Sequence, residues 1–251
     1  YAEADPTLDI NGTDSAHKLA ILASLAFGYD VRLEDIYVEG IEKVSLNDIR
    51  CGGEMGYALK LLAIGQRNAN GRVWLRVHPS FISSDNALAR VNGPFNAISV
   101  FGDAVGQTFY YGRGAGMMPT ASAVVADLVD VAFGNSGRLF NCRNIKDRGE
   151  SAPLIGRIDD LHTRFYIRLM AKDQPGVFAQ IGRILGDHQI SLAGVMQHEG
   201  RGKDNTVPVI VTTHPTLEKN VAAAVKELAH LAVIGGEPVC IRIVDLAEDC
   251  D

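Results

Sequence analysis

From Arg164 to Leu246 the hydrophobic period alternates between two residues and about 3.6, and the order of that alternation leaves few folds open. Arg164–Ala171 reads as a strand, Val177–His188 as a helix, Ile190–His198 and Thr206–Thr213 as strands, Leu217–Leu231 as a helix and Val239–Leu246 as a strand. The order βαββαβ is the split βαβ unit of the ferredoxin-like fold. Lys172-Asp173-Gln174-Pro175-Gly176-Val177-Phe178 joins the first strand to the first helix. Gly176 permits an unusual backbone there, and the helix start offers free N–H groups to a carboxylate.

The rest of the 251 residues has a different character. Asn11-Gly12-Thr13 is turn chemistry with an N-cap candidate, and a helix pattern follows from Asp14 to Phe27. The spacing of Met55, Leu59 and Leu62 predicts a second helix over Leu46–Ile64. Strand-like runs follow at Val73–Val77, Asn96–Phe101 and Thr108–Tyr111, the last two flanking a hairpin loop, Gly102-Asp103-Ala104-Val105-Gly106. Gly112-Arg113-Gly114-Ala115-Gly116 then leads into a helix over Pro119–Phe133. Val124, Val125, Leu128, Val131 and Ala132 form its apolar stripe, with Asp127 and Asp130 opposite. Gly134–Leu161 is polar, glycine-rich and aperiodic, which reads as a linker. The expected organisation is an α/β (α+β) chain with a first domain over residues 1–140, a linker over 141–162 and a ferredoxin-like domain over 163–251.

The net charge of −6 argues against nucleic acid or an anionic membrane as a partner. No apolar run is long enough to span a bilayer, and Tyr1–Asp9 has neither part of a signal peptide. Cys51, Cys142, Cys240 and Cys250 are scattered, with no paired spacing, so a zinc cluster or disulfide framework is not expected and a reducing cytoplasm is favoured. The histidines show no metalloenzyme spacing, so no metal site is expected.

Asp14 and Lys18 are four apart and share a helix face. An exposed ion pair is the simpler reading. Against it, Ile21, Leu22 and Leu25 lie on the same side and Ala16, Leu19, Ala20, Ala23 and Phe27 on the other, so the helix is apolar nearly all round. That pattern predicts a buried pair, and a buried lysine held by a carboxylate is a functional candidate. Glu3, Asp5 and Asp9 lie just upstream; carboxylates near one lysine suit a substrate bearing an ammonium group, although Asp5 reads better as surface. The glycine turn is similarly two-sided. Gly112–Gly116 lacks the third glycine of a dinucleotide fingerprint and is followed by no βαβ unit, so it is either a flexible strand-to-helix turn or a place where bare backbone meets a ligand at a helix start.

Taken in order, Glu3-Ala4-Asp5-Pro6, Asp9-Ile10-Asn11-Gly12-Thr13-Asp14 and Lys18, then Val77-His78-Pro79, Val91-Asn92-Gly93-Pro94-Phe95-Asn96-Ala97, Gly102–Gly106, Tyr111–Gly116 and Pro119–Val124 resemble the homoserine dehydrogenases. The motif at Lys172–Phe178, with Ile190-Ser191-Leu192, resembles the ACT domain, a small ligand-sensing module. The resemblance implies a catalytic domain with mixed sheet and helices, oxidation of L-homoserine to L-aspartate 4-semialdehyde or the reverse, and NAD or NADP as cofactor. It implies that Lys18 is the catalytic lysine and Asp14 its partner, and that Glu3 and Asp9 hold the amino acid substrate. Gly114, Ala115 and Gly116 would lie beside nicotinamide and substrate, and the helix after them would pack on a nucleotide-binding domain. No complete cofactor fold is present in residues 1–251, so that domain is expected to precede Tyr1, and the 251 residues alone are expected to be inactive. In the ACT part, Asp173, Gly176, Val177 and Phe178 would bind an effector, L-threonine by the family's pattern, in a homodimer or homotetramer. The competing expectation is an inactive, amino-acid-sensing dimerisation fragment.

Overall fold

The computed structural model describes residues 5–135, 137, 154–197 and 206–246. Its organising element is one eight-stranded mixed sheet that runs through both halves of the chain. In the first half, α1 (Thr7–Ile10) and α2 (Thr13–Phe27) precede β1 (Tyr37–Val38), α3 (Leu46–Glu54), β2 (Tyr57–Arg67) and β3 (Val73–Ser83). β2 and β3 pair antiparallel from Tyr57↔Ser83 to Arg67↔Val73. In the second half come β6 (His162–Lys172), α5 (Val177–Asp187), β7 (Leu192–Gln197), β8 (Thr206–Thr213), β9 (Thr216–Leu217), α6 (Glu218–Leu228) and β10 (Val239–Ile243). Their strands lie in the order β10-β6-β8-β7, with β10–β6, β6–β8 and β8–β7 all antiparallel. The predicted βαββαβ unit is therefore present, with β9 as a small addition.

The joint between the halves is a strand pairing. β10 lies parallel to β3 through Arg242↔Ser80 and Ile243↔Phe81. Alternation puts Val73, Leu75, Val77 and Phe81 on one face of β3, and the two ends of the strand enter different clusters. Val73, Leu75 and Val77 pack with Ala16, Leu19 and Ala23 of α2 in one cluster. Phe81, Tyr166, Ile210, Ile241 and Ile243 form another across the joint. A third, around Phe165, Ile167, Leu169, Val177, Ile181, Leu185, Val221 and Leu228, is the core of the second half.

The predicted helix over Leu46–Ile64 is corrected by the structure: α3 stops at Glu54 and β2 begins at Tyr57. Met55, Leu59 and Leu62 suit a helical stripe, but eleven residues of pairing with β3 outweigh that local pattern. The strand predicted at Val73–Val77 runs on to Ser83 for the same reason. The end of the stretch read as a linker is tied down. Val73 N–H bonds Leu154 O at 3.0 Å and Gly156 N–H bonds Val73 O at 2.8 Å, so Ile155 sits against β3.

The remaining elements form an antiparallel hairpin, β4 (Phe95–Gly102) and β5 (Gly106–Arg113), followed by α4 (Met117–Ala132). α4 buries none of its residues. Val124, Val125, Leu128 and Val131 are all more than half exposed, so the predicted apolar stripe lies open. No helix among the described residues is long and apolar enough to cross a membrane.

Candidate functional site

The corner between α1 and α2 carries the first group of predicted residues. Asp5 accepts from Thr7 N–H at 3.1 Å and so organises the start of α1. Asn11 Oδ1 accepts from Thr13 N–H at 2.9 Å, turning the chain into α2. Asp9 is exposed on α1, and Glu3 lies outside the described residues. Asp14 falls in the first turn of α2 and pairs with Lys18 one turn later. The structure thus forms the predicted pair but corrects its environment. The Lys18 side chain is 67% exposed and that of Asp14 39%. Only Ala16, Leu19 and Ala23 of α2 are buried, because a single sheet covers a single face of the helix. Ile21 and Leu22, beside Lys18, are open as well. An ion pair bordered by exposed aliphatic side chains is an uneconomical free surface and a good binding surface.

The second group is the turn from β5 into α4. Gly116, with φ +124°, is the N-cap of α4, and its carbonyl accepts from Thr120 N–H at 3.0 Å. Gly114 is packed against Asn96: a Cβ at position 114 would fall 1.5 Å from Asn96 Nδ2. Beside them Phe95 stacks on Tyr111 with centroids 4.9 Å apart, and the Arg113 guanidinium lies 5.1 Å over the Phe95 ring. Backbone without side chains at the start of a sixteen-residue helix is chemistry that fits an anionic, planar cofactor. Ala115, between the two glycines, adds only a methyl group.

The third group is the loop from β6 into α5. Gly176 holds φ +88°, a region that costs a side-chain-bearing residue about 1–2 kcal/mol. Val177 is buried, whereas Asp173 and Phe178 are exposed. The loop therefore presents one carboxylate, one aromatic ring and the free amides of the first turn of α5.

Two ionic clusters joining the halves were not foreseen from sequence. Asp48, fully buried on α3, accepts from Arg168 Nη2 at 3.1 Å and Tyr166 Oη at 3.0 Å, and from Ser45 N–H at 2.9 Å. Burial pushes the Asp48 carboxyl up, but the bonds from Arg168 and Ser45 outweigh it and hold the group below its ordinary value. Arg242 of β10, also buried, donates to Glu39 Oε2 at 2.7 Å, Glu218 Oε2 at 2.8 Å and Tyr37 Oη at 3.3 Å. A cleft of about 570 Å³, lined by Lys43, Val221, Val225 and Cys240 among others, opens beside this cluster. The weak signal was charge on otherwise apolar strands: Arg168 and Arg242 interrupt β6 and β10.

Residues 1–129 match the family described as Homoserine dehydrogenase, and residues 165–230 match the ACT domain. The chain is 43% identical over 250 residues to the homoserine dehydrogenase of Pseudomonas aeruginosa, covering 98% of this chain and 57% of that protein. It superposes on the crystal structure of a homoserine dehydrogenase from Thiobacillus denitrificans with TM-score 0.85 at 43% identity, covering 98% of this chain and 56% of that one. The S. aureus homoserine dehydrogenase structure gives TM-score 0.65 at 27% identity, with the same two shares. The chain thus spans a little over half the length of the relatives it matches.

Proposed function

The chain belongs to the homoserine dehydrogenase family, and on that premise we propose that it supplies the substrate-binding and regulatory parts of an NAD(P)-dependent enzyme interconverting L-homoserine and L-aspartate 4-semialdehyde. The observation that carries the proposal is the Asp14–Lys18 pair on the open face of α2, one turn beyond the α1 corner that holds Asp9. Asp9, with Glu3, binds the substrate's ammonium group. Lys18 takes the hydroxyl proton as the free amine in oxidation and returns it from the ammonium in reduction, and Asp14 orients the Nζ of Lys18 toward that oxygen. The Gly114-Ala115-Gly116 backbone would border the nicotinamide cofactor, which would supply the hydride chemistry when bound. Exposure of Lys18 before the site is assembled is consistent with such a role, because surface that closes on a ligand starts open.

The division of labour follows the chain: residues 1–140 catalytic, 141–162 connecting, 163–251 regulatory. The open stripe of α4 packs against a nucleotide-binding domain, and the exposed aromatic side of β4–β5 pairs copies into a homodimer or homotetramer. Asp173, Gly176, Val177 and Phe178 receive the amino acid effector, with L-threonine the ligand expected for feedback on threonine, methionine and isoleucine biosynthesis in the cytoplasm.

The test is to assay the 251-residue chain and a version extended to the length of its relatives, with L-homoserine and either NAD or NADP. Turnover is expected in the extended protein alone, with tight threonine binding in both. Threonine binding without turnover in either protein would instead favour an amino-acid-sensing fragment. Absence of both would remove the proposal.

A further inference from the structure

We propose that Asn96 is a positioning residue for the Gly114–Gly116 turn, its carboxamide lying against Gly114 and setting where that backbone stands. The proposal rests on the reading of this turn as cofactor-bordering. β4 and β5 pair as Asn96↔Gly112, and the ladder ends one pair later, at Phe95↔Arg113. Beyond Arg113 no strand partner fixes the chain, yet Gly114 and Ala115 must deliver Gly116 to the start of α4. Asn96 takes over where the ladder stops. A Cβ on Gly114 would lie 1.5 Å from Asn96 Nδ2 and 2.7 Å from its Cγ, so the amide occupies the volume a side chain at position 114 would need.

Two sets of contacts hold the end of the hairpin that carries Asn96. Stacking of Phe95 on Tyr111, with Arg113 over the same ring, locks the adjoining end of the hairpin. Lys60 of β2 ties the approach to β4, with Nζ 2.6 Å from Val91 O and 3.3 Å from Asn92 Oδ1. That ammonium is partly buried, and burial lowers its pKa from the ordinary lysine value. The tie matters because the β4–β5 pair is a sheet of its own, not hydrogen-bonded to the eight-stranded one. Lys60 fastens it to β2, and Asn96 passes that placement to the turn. Asn96 itself is exposed, so its amide stands at the surface on which a ligand would lie.

The experiment is a double-mutant cycle in the version extended to the length of its relatives, with Asn96→Ala, Gly114→Ala and the pair together. Cofactor dissociation constants are read by fluorescence titration, KM for cofactor and for homoserine are measured separately, and each melting temperature is recorded. The Asn96 side chain can rotate away from a new methyl group, so Gly114→Ala should fold normally. Each single substitution is expected to weaken cofactor binding by roughly tenfold, and the double variant to be no weaker than the worse single, as for residues in contact. KM for the cofactor should rise by a larger factor than KM for homoserine. If the two effects multiply in the double variant, Asn96 does not act through Gly114 and the proposal fails. If Gly114→Ala leaves cofactor affinity unchanged, the turn does not border the cofactor and the underlying reading fails instead.

Discussion

Arg168 on β6 holds Asp48 on α3 in a two-pronged ion pair, Nε to Oδ1 at 2.5 Å and Nη2 to Oδ2 at 3.1 Å, across 120 positions of sequence. Asp48 is fully buried and the Arg168 side chain is only 13% exposed. The pair joins the first half of the chain to the ACT half inside the apolar cluster of Phe81, Tyr166 and Ile241. Removing one partner strands the other charge in that cluster. Asp48→Ala should therefore destabilise the protein by about 3–5 kcal/mol. Replacing both groups with apolar residues, Asp48→Leu with Arg168→Met, should cost less than Asp48→Ala alone. Urea unfolding of the three variants checks this; a double variant weaker than Asp48→Ala would show that the pair itself is strongly favourable.

The same carboxyl gives a pH dependence with a definite sign. Its folded pKa lies below the ordinary value of 3.8. Its contribution is thus present in full above that value and is lost as the pH falls through the lower, folded pKa. The stability gap between the parent protein and Asp48→Asn should be constant near neutrality and narrow below about pH 4. A gap that stays unchanged down to pH 2 would contradict the role given to Arg168.

Lys18 should separate activity from stability. With its side chain 67% exposed, Lys18→Ala in the version extended to the length of its relatives should change folding stability by no more than about 0.5 kcal/mol. Turnover should fall by roughly 10²–10⁴-fold, the usual share of a positioned acid–base group. A variant that melts normally and turns over normally would refute the assignment.

Gly176 tests the proposed effector loop. At φ +88° there is open space around the missing Cβ, so the cost of Gly176→Val is backbone strain rather than collision. The loop should shift, weakening threonine binding by tenfold or more, about 1.4 kcal/mol, while turnover without threonine is unchanged. Parallel titration of threonine into parent and variant, read as heat and as inhibition, decides it. Equal affinities would place the effector elsewhere.

What the sequence determined by itself was local or motif-borne. α2, the hairpin β4–β5 and the βαββαβ order each repeat a period within one segment, and short-range geometry is enough to select them. The Asp14–Lys18 pair was legible for the same reason, since i and i+4 meet on any helix. Tertiary structure decided the rest. Tyr57–Arg67 became a strand because β3 offered eleven partners, none of them visible from the spacing of Leu59 and Leu62. Lys18 is open because α2 has a sheet on one face and no described element over the other, although its composition is apolar nearly all round. The joint through Arg242↔Ser80, the Asp48–Arg168 pair and the seat of Asn96 on Gly114 depend on which distant segments come together. Hydrophobic periodicity states that a face is buried but not against what, so the partners of buried charges emerge only when the sheet is assembled.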